Sequence, residues 1–565
     1  MIPRTSSKVD SARRSGLLIL NWLPGYQRRW LRLDILAGLT AAAVVIPQAM
    51  AYASIAGLPV QVGLYTALVP MVVYALLGTS RPLSVSTTST IAILTASELA
   101  VVASSNDPAD TLLAASTLAV LVGVFLLLAG LLRLGFIANF ISLPVLVGFK
   151  AGIGLVIFVG QLGKVVGISV EKGPFLNTIL TIIKSLPSWH LPTLLVGLLT
   201  LGLLLALPRL LPRLSAPLVA VAAGIAASAL FHLGNLGVDL VGEIPPGLPA
   251  LRLPDLAMVS QLGLGALGIA LMAFVESIAS ARAFAGHKDP PAEANRELVA
   301  LGAANLAGGL FQAMPAGGGT SQSAVNEQAG ARTQLAELVT AGFVVLTLLF
   351  LAPLIGLMPQ ATLGALVMVA AVSLMKVGEF RAIIRIRWTE FWWAVIALVG
   401  VVVLGTLNGI VVAVAASFLS LIYEANHPPL YALGRKPGTD IFRPYDESSG
   451  DEIFPGLLIL RTEGGLTFAS APRLKDMVWE LIQEMEPEVL ALDMKAVPNI
   501  EYTALQMLAG FEEKLSQAGI TLWLVGLNPE ALKVVERSQL FKTLGHERMF
   551  FNAEQAVEVF QALKA

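Results

Sequence analysis

Between Leu33 and Tyr423, apolar residues fall in runs close to the length of a membrane-spanning helix, separated by breaks rich in proline, glycine or charge. The breaks define a first group of seven segments, near 34–53, 58–77, 86–98, 111–132, 139–163, 192–208 and 214–231. Seven more follow, near 262–285, 295–312, 320–329, 332–352, 361–375, 389–405 and 408–425. The run 174–186 is too short to span and predicts an interfacial helix. From about residue 438 the pattern changes. GLLILRTEGGLTF predicts strand, turn, strand; APRLKDMVWELIQEME an amphipathic helix; EVLALDMKAV a buried strand; TALQMLAGFEEKLSQAG a second helix; ITLWLVGL another strand. The whole predicts a polytopic α-helical membrane protein of 14 segments followed by a small α/β domain. The expected divisions are 1–33, a cytoplasmic region with an interfacial helix carrying Trp22, Tyr26 and Trp30 at headgroup depth; 34–425, the membrane domain; 426–437, a linker; and 438–565, the soluble domain.

Seven is odd, so a second group of seven enters the membrane from the opposite side and the repeat is inverted. The third member of each group is short and polar. TSQSAVNEQA, 320–329, supplies at most about ten helical residues, roughly 15 Å. SVSTTSTIAILTA opens on Ser84, Ser86, Thr87, Thr88, Ser89 and Thr90. Two such half-helices entering from opposite faces meet near the midplane, and their N-termini expose unpaired N–H groups and partial positive charge. Together they predict an anion site that needs no cationic side chain, with the glycines 317–319 allowing close backbone approach. The other reading is a pair of re-entrant loops packed without ligand.

Two further segments, the first of each group, carry chemistry. IPQAMAY sets Gln48 and Tyr52 one turn apart, where they can meet an anion or serve only to anchor a helix kinked at Pro47. MAFVESIASARAF places Glu276 deep in an apolar run, with Ser280 one turn on. A carboxylate there costs about 2.5–3.5 kcal/mol on insertion scales and marks proton or cation coupling, or a structural hydrogen bond. Lys150 in LVGFKAGIG can neutralise a carboxylate, line a permeation route or snorkel.

Composition narrows the class. Of 565 residues 56% are hydrophobic and 13% charged, mean hydropathy is +0.76, and the net charge of -1 argues against a nucleic-acid partner. Cysteine is absent, which removes disulfides and thiolate metal sites. Arg81, Arg133, Arg209, Arg213, Arg282, Lys288, Arg296, Arg332, Lys376, Arg381, Arg385 and Arg387 fall on one side of the expected topology against Lys164, Lys172 and Arg252 on the other, with Lys184 assignable to either. That bias puts both termini in the cytoplasm. His190, His232, His287, His427 and His546 are scattered without metal-ligand spacing, and no phosphate-binding loop occurs. Neither an enzyme nor an ATP-driven pump is expected, and no cofactor. Compactness and the lack of a targeting extension are those of a prokaryotic plasma-membrane protein.

DILAGLTAAAVVIPQAMAYASIAGLPVQVGLYTALVPMVVYALLGTSRPLSV resembles the signature region of the sulfate permease (SulP) family of anion transporters. ANLAGGLFQAMPAGGGTSQSAVNEQAGARTQL resembles that family's tenth-segment region, and the tail its STAS domain. The resemblance implies a 7+7 inverted repeat, a core domain moving against a gate domain, and a homodimer. It puts the anion site on Gln48, Tyr52, Thr87, Thr88, Thr320, Ser321 and Gln322, and the coupling carboxylate on Glu276 with Ser280 beside it. It implies symport with a proton, or with sodium, or anion exchange. Many members carry Gly-Pro where this chain has Ser86-Thr87, and an arginine where it has Gln322. Losing that cation weakens the case for doubly charged sulfate and opens the site to a less charged or larger solute, such as bicarbonate, chloride or a dicarboxylate. A membrane sensor without net transport is the other class. In IEYTAL, Tyr502 stands where related regulatory domains place a phosphoacceptor serine, which leaves the STAS domain a regulatory or an assembly role.

Overall fold

The computed structural model describes residues 20, 22–23, 26–102, 108–139, 142–168, 175–211, 214–245, 247–285 and 292–565. Most of the N-terminal region 1–33, where the interfacial helix is expected, lies outside them. Trp22 is buried, and its indole N–H donates to the carbonyl of Ala75 at 2.8 Å. Trp22, Tyr26 and Trp30 follow one another edge to face.

The chain divides into two compact units, Met1–Ser417 and Phe418–Ala565. The first is helical. Its elements are α1 (Leu31–Ala56), α2 (Val60–Leu77), strand β1 (Val85–Ser86), α3 (Ser89–Val102), α4 (Pro108–Leu131), α5 (Leu143–Val166), α6 (Phe175–Lys184), α7 (Leu191–Leu210) and α8 (Ala216–Phe231). Then come α9 (Val259–Ala283), α10 (Ala294–Leu310), strand β2 (Gly317–Gly318), α11 (Thr320–Gln328), α12 (Leu335–Leu346), α13 (Ala352–Gly356), α14 (Gln360–Leu374), α15 (Val377–Ile386) and α16 (Trp388–Ala425). Each of the fourteen expected segments has a helical counterpart, and α6 is the predicted short helix. Among the described residues, nine helices are long and apolar enough to cross a membrane. The eleventh segment is not continuous: a π-helical stretch, Thr347–Leu351, joins α12 to α13. The helix α16 breaks at Gly405, whose φ of 84° is left-handed, and its two arms fold back so that Gly400 faces Val412 and Gly409 faces Val401.

Packing sorts the helices into two groups. One comprises α1–α4 with α9–α12, where α10 lies against α4 and α2, α12 against α1, and α9 against α3 and α4. The other comprises α5, α7, α8 and α14, with Gly148 of α5 close-packed on the backbone of Ala394 in α16. Small residues set the approach, as expected where lipid supplies no hydrophobic drive between helices. At Gly309 a Cβ would lie 2.6 Å from the carbonyl of Ser116, and at Gly123 2.5 Å from the amide nitrogen of Leu306, so α4 and α10 touch backbone to backbone.

The second unit holds a six-stranded sheet, ordered β4-β3-β5-β6-β7-β8: β3 (Leu430–Arg435), β4 (Phe442–Pro444), β5 (Leu457–Thr462), β6 (Val489–Asp493), β7 (Thr521–Val525) and β8 (Met549–Phe550). The strands β5 to β8 run parallel; β3 is antiparallel to β5 and β4 to β3. The helices α17 (Ala471–Met485), α18 (Tyr502–Gln517), α19 (Pro529–Glu536) and α20 (Gln539–Leu544) contribute to one apolar layer, and α21 (Ala553–Lys564) to the other. Two expectations need correction. The span 426–437 is not a plain linker, because β3 lies within it and pairs Leu430–Ala432 with Leu460–Thr462. GLLILRTEGGLTF forms one strand, after which Leu466 makes only an isolated bridge to Ile500. The glycines at 464–465 end β5 before a return strand can form.

Candidate anion site

The strands β1 and β2 pair antiparallel, Val85 opposite Gly318 and Ser86 opposite Gly317. The Gly319 N–H donates to the carbonyl of Ser84 at 3.0 Å, and the Ser84 N–H donates to Ser323 Oγ at 3.0 Å. The helix α3 starts three residues after β1 and α11 two residues after β2, so this clasp brings the two short helices together by their N-termini. The glycines are there for space. A Cβ at Gly317 would meet Ile91 Cδ1 at 2.6 Å, and one at Gly318 would meet Leu83 Cδ1 at 2.7 Å and Ser277 Cα at 2.9 Å. The Gly318 N–H is satisfied by Ser277 Oγ of α9 at 2.7 Å.

Around the clasp the structure gathers residues from five elements. Tyr52 of α1 is buried, and its hydroxyl interacts with the side chains of Ser89 on α3 and Ser321 on α11. Thr320 and Ser321, the first two residues of α11, are exposed, and no side chain caps that helix. Thr320 Oγ1 lies 3.0 Å from Ser280 Oγ of α9. Thr88 caps α3, accepting the Ile91 N–H at 3.2 Å, and donates to Glu276 Oε2 at 3.1 Å. Thr90 donates to Glu276 Oε1 at 2.9 Å, and Lys150 Nζ reaches the same oxygen at 3.3 Å. Gln322 Oε1 accepts from Ser86 Oγ at 2.7 Å, so this amide is bound to β1. Gln48 Oε1 and Thr87 Oγ1 are buried without a hydrogen-bond partner among the described residues. Buried polar atoms are normally paired, so these two orphans, Thr87 among them directly before the start of α3, are left open to a further partner.

Eight of the nine expected residues lie around the clasp, and Gln48 stands one turn before Tyr52 on α1; Lys150 joins them as the partner of Glu276. Sequence reasoning missed Thr90, Ser89 and Ser86 as participants. They stood in a visible polar run, but which member faces α9 or α11 depends on where the helix begins, and β1 delays that start to Ser89.

Residues 31–397 match the Sulfate permease family, and residues 451–556 match the STAS domain. The chain belongs to the sulfate permease family. This permease is similar to a probable sulfate transporter of Mycobacterium tuberculosis, 38% identical over 550 residues that cover 96% of this chain and 98% of the relative. Among solved structures, its fold matches the murine Solute Carrier 26 family member A9 anion transporter in the inward-facing state. That match has a TM-score of 0.87 and 24% identity, over 99% of this chain and 96% of that one. The transmembrane domain of a cyanobacterium bicarbonate transporter, BicA, matches at TM-score 0.61 and 26% identity, over 69% of this chain and 98% of that one. The permease is thus an anion transporter of the membrane, not an enzyme, with a C-terminal STAS domain.

Proposed function

We propose that this permease takes up sulfate with a proton, by an elevator-like movement of one helix group against the other. The observation that carries the reading is the clasp of β1 with β2, which sets the N-termini of α3 and α11 side by side next to exposed Thr320 and Ser321. Their unpaired N–H groups and dipoles favour an anion there. Tyr52, Gln48, Thr87 and Gln322 complete the shell, and Glu276 with Ser280 forms the coupling side. An anion and an ionised Glu276 would repel in a poorly screened site, so protonation and anion binding are linked. The antiparallel clasp, and the two short helices at matching places in each group of seven, support an inverted repeat. A homodimer in a bacterial inner membrane, with cytoplasmic termini and contact with lipid, completes the reading. Sodium in place of the proton is the alternative coupling ion.

The test is radiolabelled sulfate uptake into proteoliposomes under an inward proton gradient, with bicarbonate, oxalate, fumarate and chloride as competitors. Uptake should follow the gradient, and Glu276→Gln should abolish that dependence. Unchanged proton dependence in the variant rejects Glu276 as coupler. One observation favours a second reading. Gln322 brings no charge, and Lys150 is engaged with Glu276, so the charged side chains at the site cancel. Such a site suits bicarbonate or another singly charged anion, and preferential inhibition by bicarbonate would select it.

A further inference from the structure

The Lys150–Glu276 pair joins the two helix groups. Lys150 lies on α5, which packs against α14 and α7, whereas Glu276 lies on α9, which packs against α3, α4 and α10. The nitrogen and Oε1 are 3.3 Å apart, with the lysine side chain 23% exposed and the glutamate 5%. The other bonds to the carboxylate, from Thr88 and Thr90, come from α3 in the same group as α9. A shift of one group along the other therefore keeps both threonine bonds and breaks the ion pair. Parting opposite charges in a poorly screened site is costly, because one carboxylate is left buried without its counter-charge. A proton on Glu276 removes that cost.

We propose that Lys150 and Glu276 form an electrostatic latch between the two helix groups, opened by protonation of Glu276. The proposal rests on the reading that these groups move against each other. It makes Lys150 a positioning residue: it holds the carrier in the conformation described here until a proton arrives. The charged and titratable groups facing Glu276 are Lys150 from α5 and the Tyr52 hydroxyl from α1. Near Glu276, α3 and α11 offer hydroxyls. The acid of α3, Glu98, meets α9 at Gly265, three turns away. The charges of α4 and α10, at Asp110, Arg296 and Glu297, lie in their first turns. Two more contacts bridge the groups, from Lys164 to Ser54 Oγ at 2.6 Å and from Ser215 Oγ to the Ala43 carbonyl at 3.0 Å. Both accept from or donate to neutral groups that water can replace at little cost.

The chain has no cysteine, so Gln328→Cys on α11 and Ala382→Cys on α15, both exposed, give a clean spin-label pair in the full-length protein. Distances are read by electron–electron resonance in phosphatidylethanolamine–phosphatidylglycerol vesicles without sulfate, at about pH 8 and about pH 4.5, the lower value being near the ordinary range of a glutamate. The parent should hold one distance at the higher pH and gain a second at the lower, the population ratio moving about tenfold. Lys150→Met and Glu276→Gln should each show both distances at both pH values. The exchanged pair Lys150→Glu with Glu276→Lys should recover the pH response, which a misfolded variant could not do. Histidines titrate in the same window, and a response that survives in Lys150→Met would belong to them and overturn the latch. A parent distribution indifferent to pH overturns it as well. The two readings fail separately: absent sulfate flux with pH-responsive distances strikes the transport reading alone, and flux with pH-blind distances strikes the latch alone.

Discussion

Three acids buried in the membrane unit are held by donors from elements distant in sequence. Asp34 accepts the N–H groups of Arg332 and Thr333 at 2.6 and 3.1 Å and the Thr333 hydroxyl at 2.7 Å. Glu297 accepts from the Tyr74 hydroxyl at 2.8 Å and from the N–H groups of Thr79 and Ser80 at 2.8 and 3.2 Å. Glu337 receives Ser84 Oγ at 2.9 Å and the Asn326 amide. These bonds tie the loops beside the clasp to the helices that carry it. Asp34→Ala leaves three donors open, two of them buried, and should lower stability by about 2–4 kcal/mol, read as a fall in the thermal midpoint of the detergent-solubilised protein. Gln322→Arg tests the missing cation: it should raise sulfate affinity relative to bicarbonate, and equal affinities before and after would remove charge at this position as the determinant of substrate. At this scale the sequence revealed residue types but not partners. Glu276 stood out because an acid in an apolar run is costly, and Gln48 and Tyr52 because they share a helical face. That Lys150 reaches Glu276 depends on the packing of α5 beside α3, which no local pattern encodes.

Between the elements, the decisive feature is the two-stranded clasp. Gly318→Ala would put a methyl 2.7 Å from Leu83 Cδ1 and 2.9 Å from the backbone of Ser277, forcing β2 and α9 apart. Transport should fall at least about tenfold, the effect expected when a binding group is displaced by about an ångström. Gly263→Ala on the same helix α9 meets nothing within 4 Å and should be neutral or stabilise by about 0.5–1 kcal/mol. Uptake and thermal unfolding of the two variants side by side check both statements. Twelve of the fourteen segments were legible as apolar runs, within which lipid enforces helix, and the third of each group stood out by being short and polar. The strands β1 and β2 were not, since two residues each carry no period. Likewise, the π-helical stretch between α12 and α13 leaves the apolar pattern unbroken while altering the backbone.

For the molecule as a whole, the two units answer to different solvents. The sheet of the STAS unit is stabilised by side-chain charge pairs, among them Arg461 with Asp493 at 2.5 Å and Arg443 with Asp451 at 2.7 Å. The hydrogen bonds from Arg443 hold the Asp451 carboxyl below its ordinary range. A depressed folded-state value contributes stability above the unfolded carboxylate pKa and loses it as pH falls through the folded one. In Arg443→Gln that acid-labile share should disappear, so that hydrogen exchange at the β4 amides of the full-length protein depends less on pH on the acid side. The α/β character of this unit was readable from its alternation of strands and helices. Its first strand was not, because LYALGR follows directly on a membrane helix and looks like a tether.

Val85 and Gly318 meet across 233 positions, 318 − 85. At roughly 5–20 residues per second of synthesis, the hydroxyl-rich stretch around Ser84–Thr90 waits on the order of ten seconds or more for its partner strand. Throughout that interval its amide and hydroxyl groups must borrow hydrogen bonds from water or from the insertion machinery. The pairing at the proposed anion site thus leaves the nascent chain a long unpartnered interval, and slowing translation between the two strands should lower the yield of active carrier more than slowing it after the second.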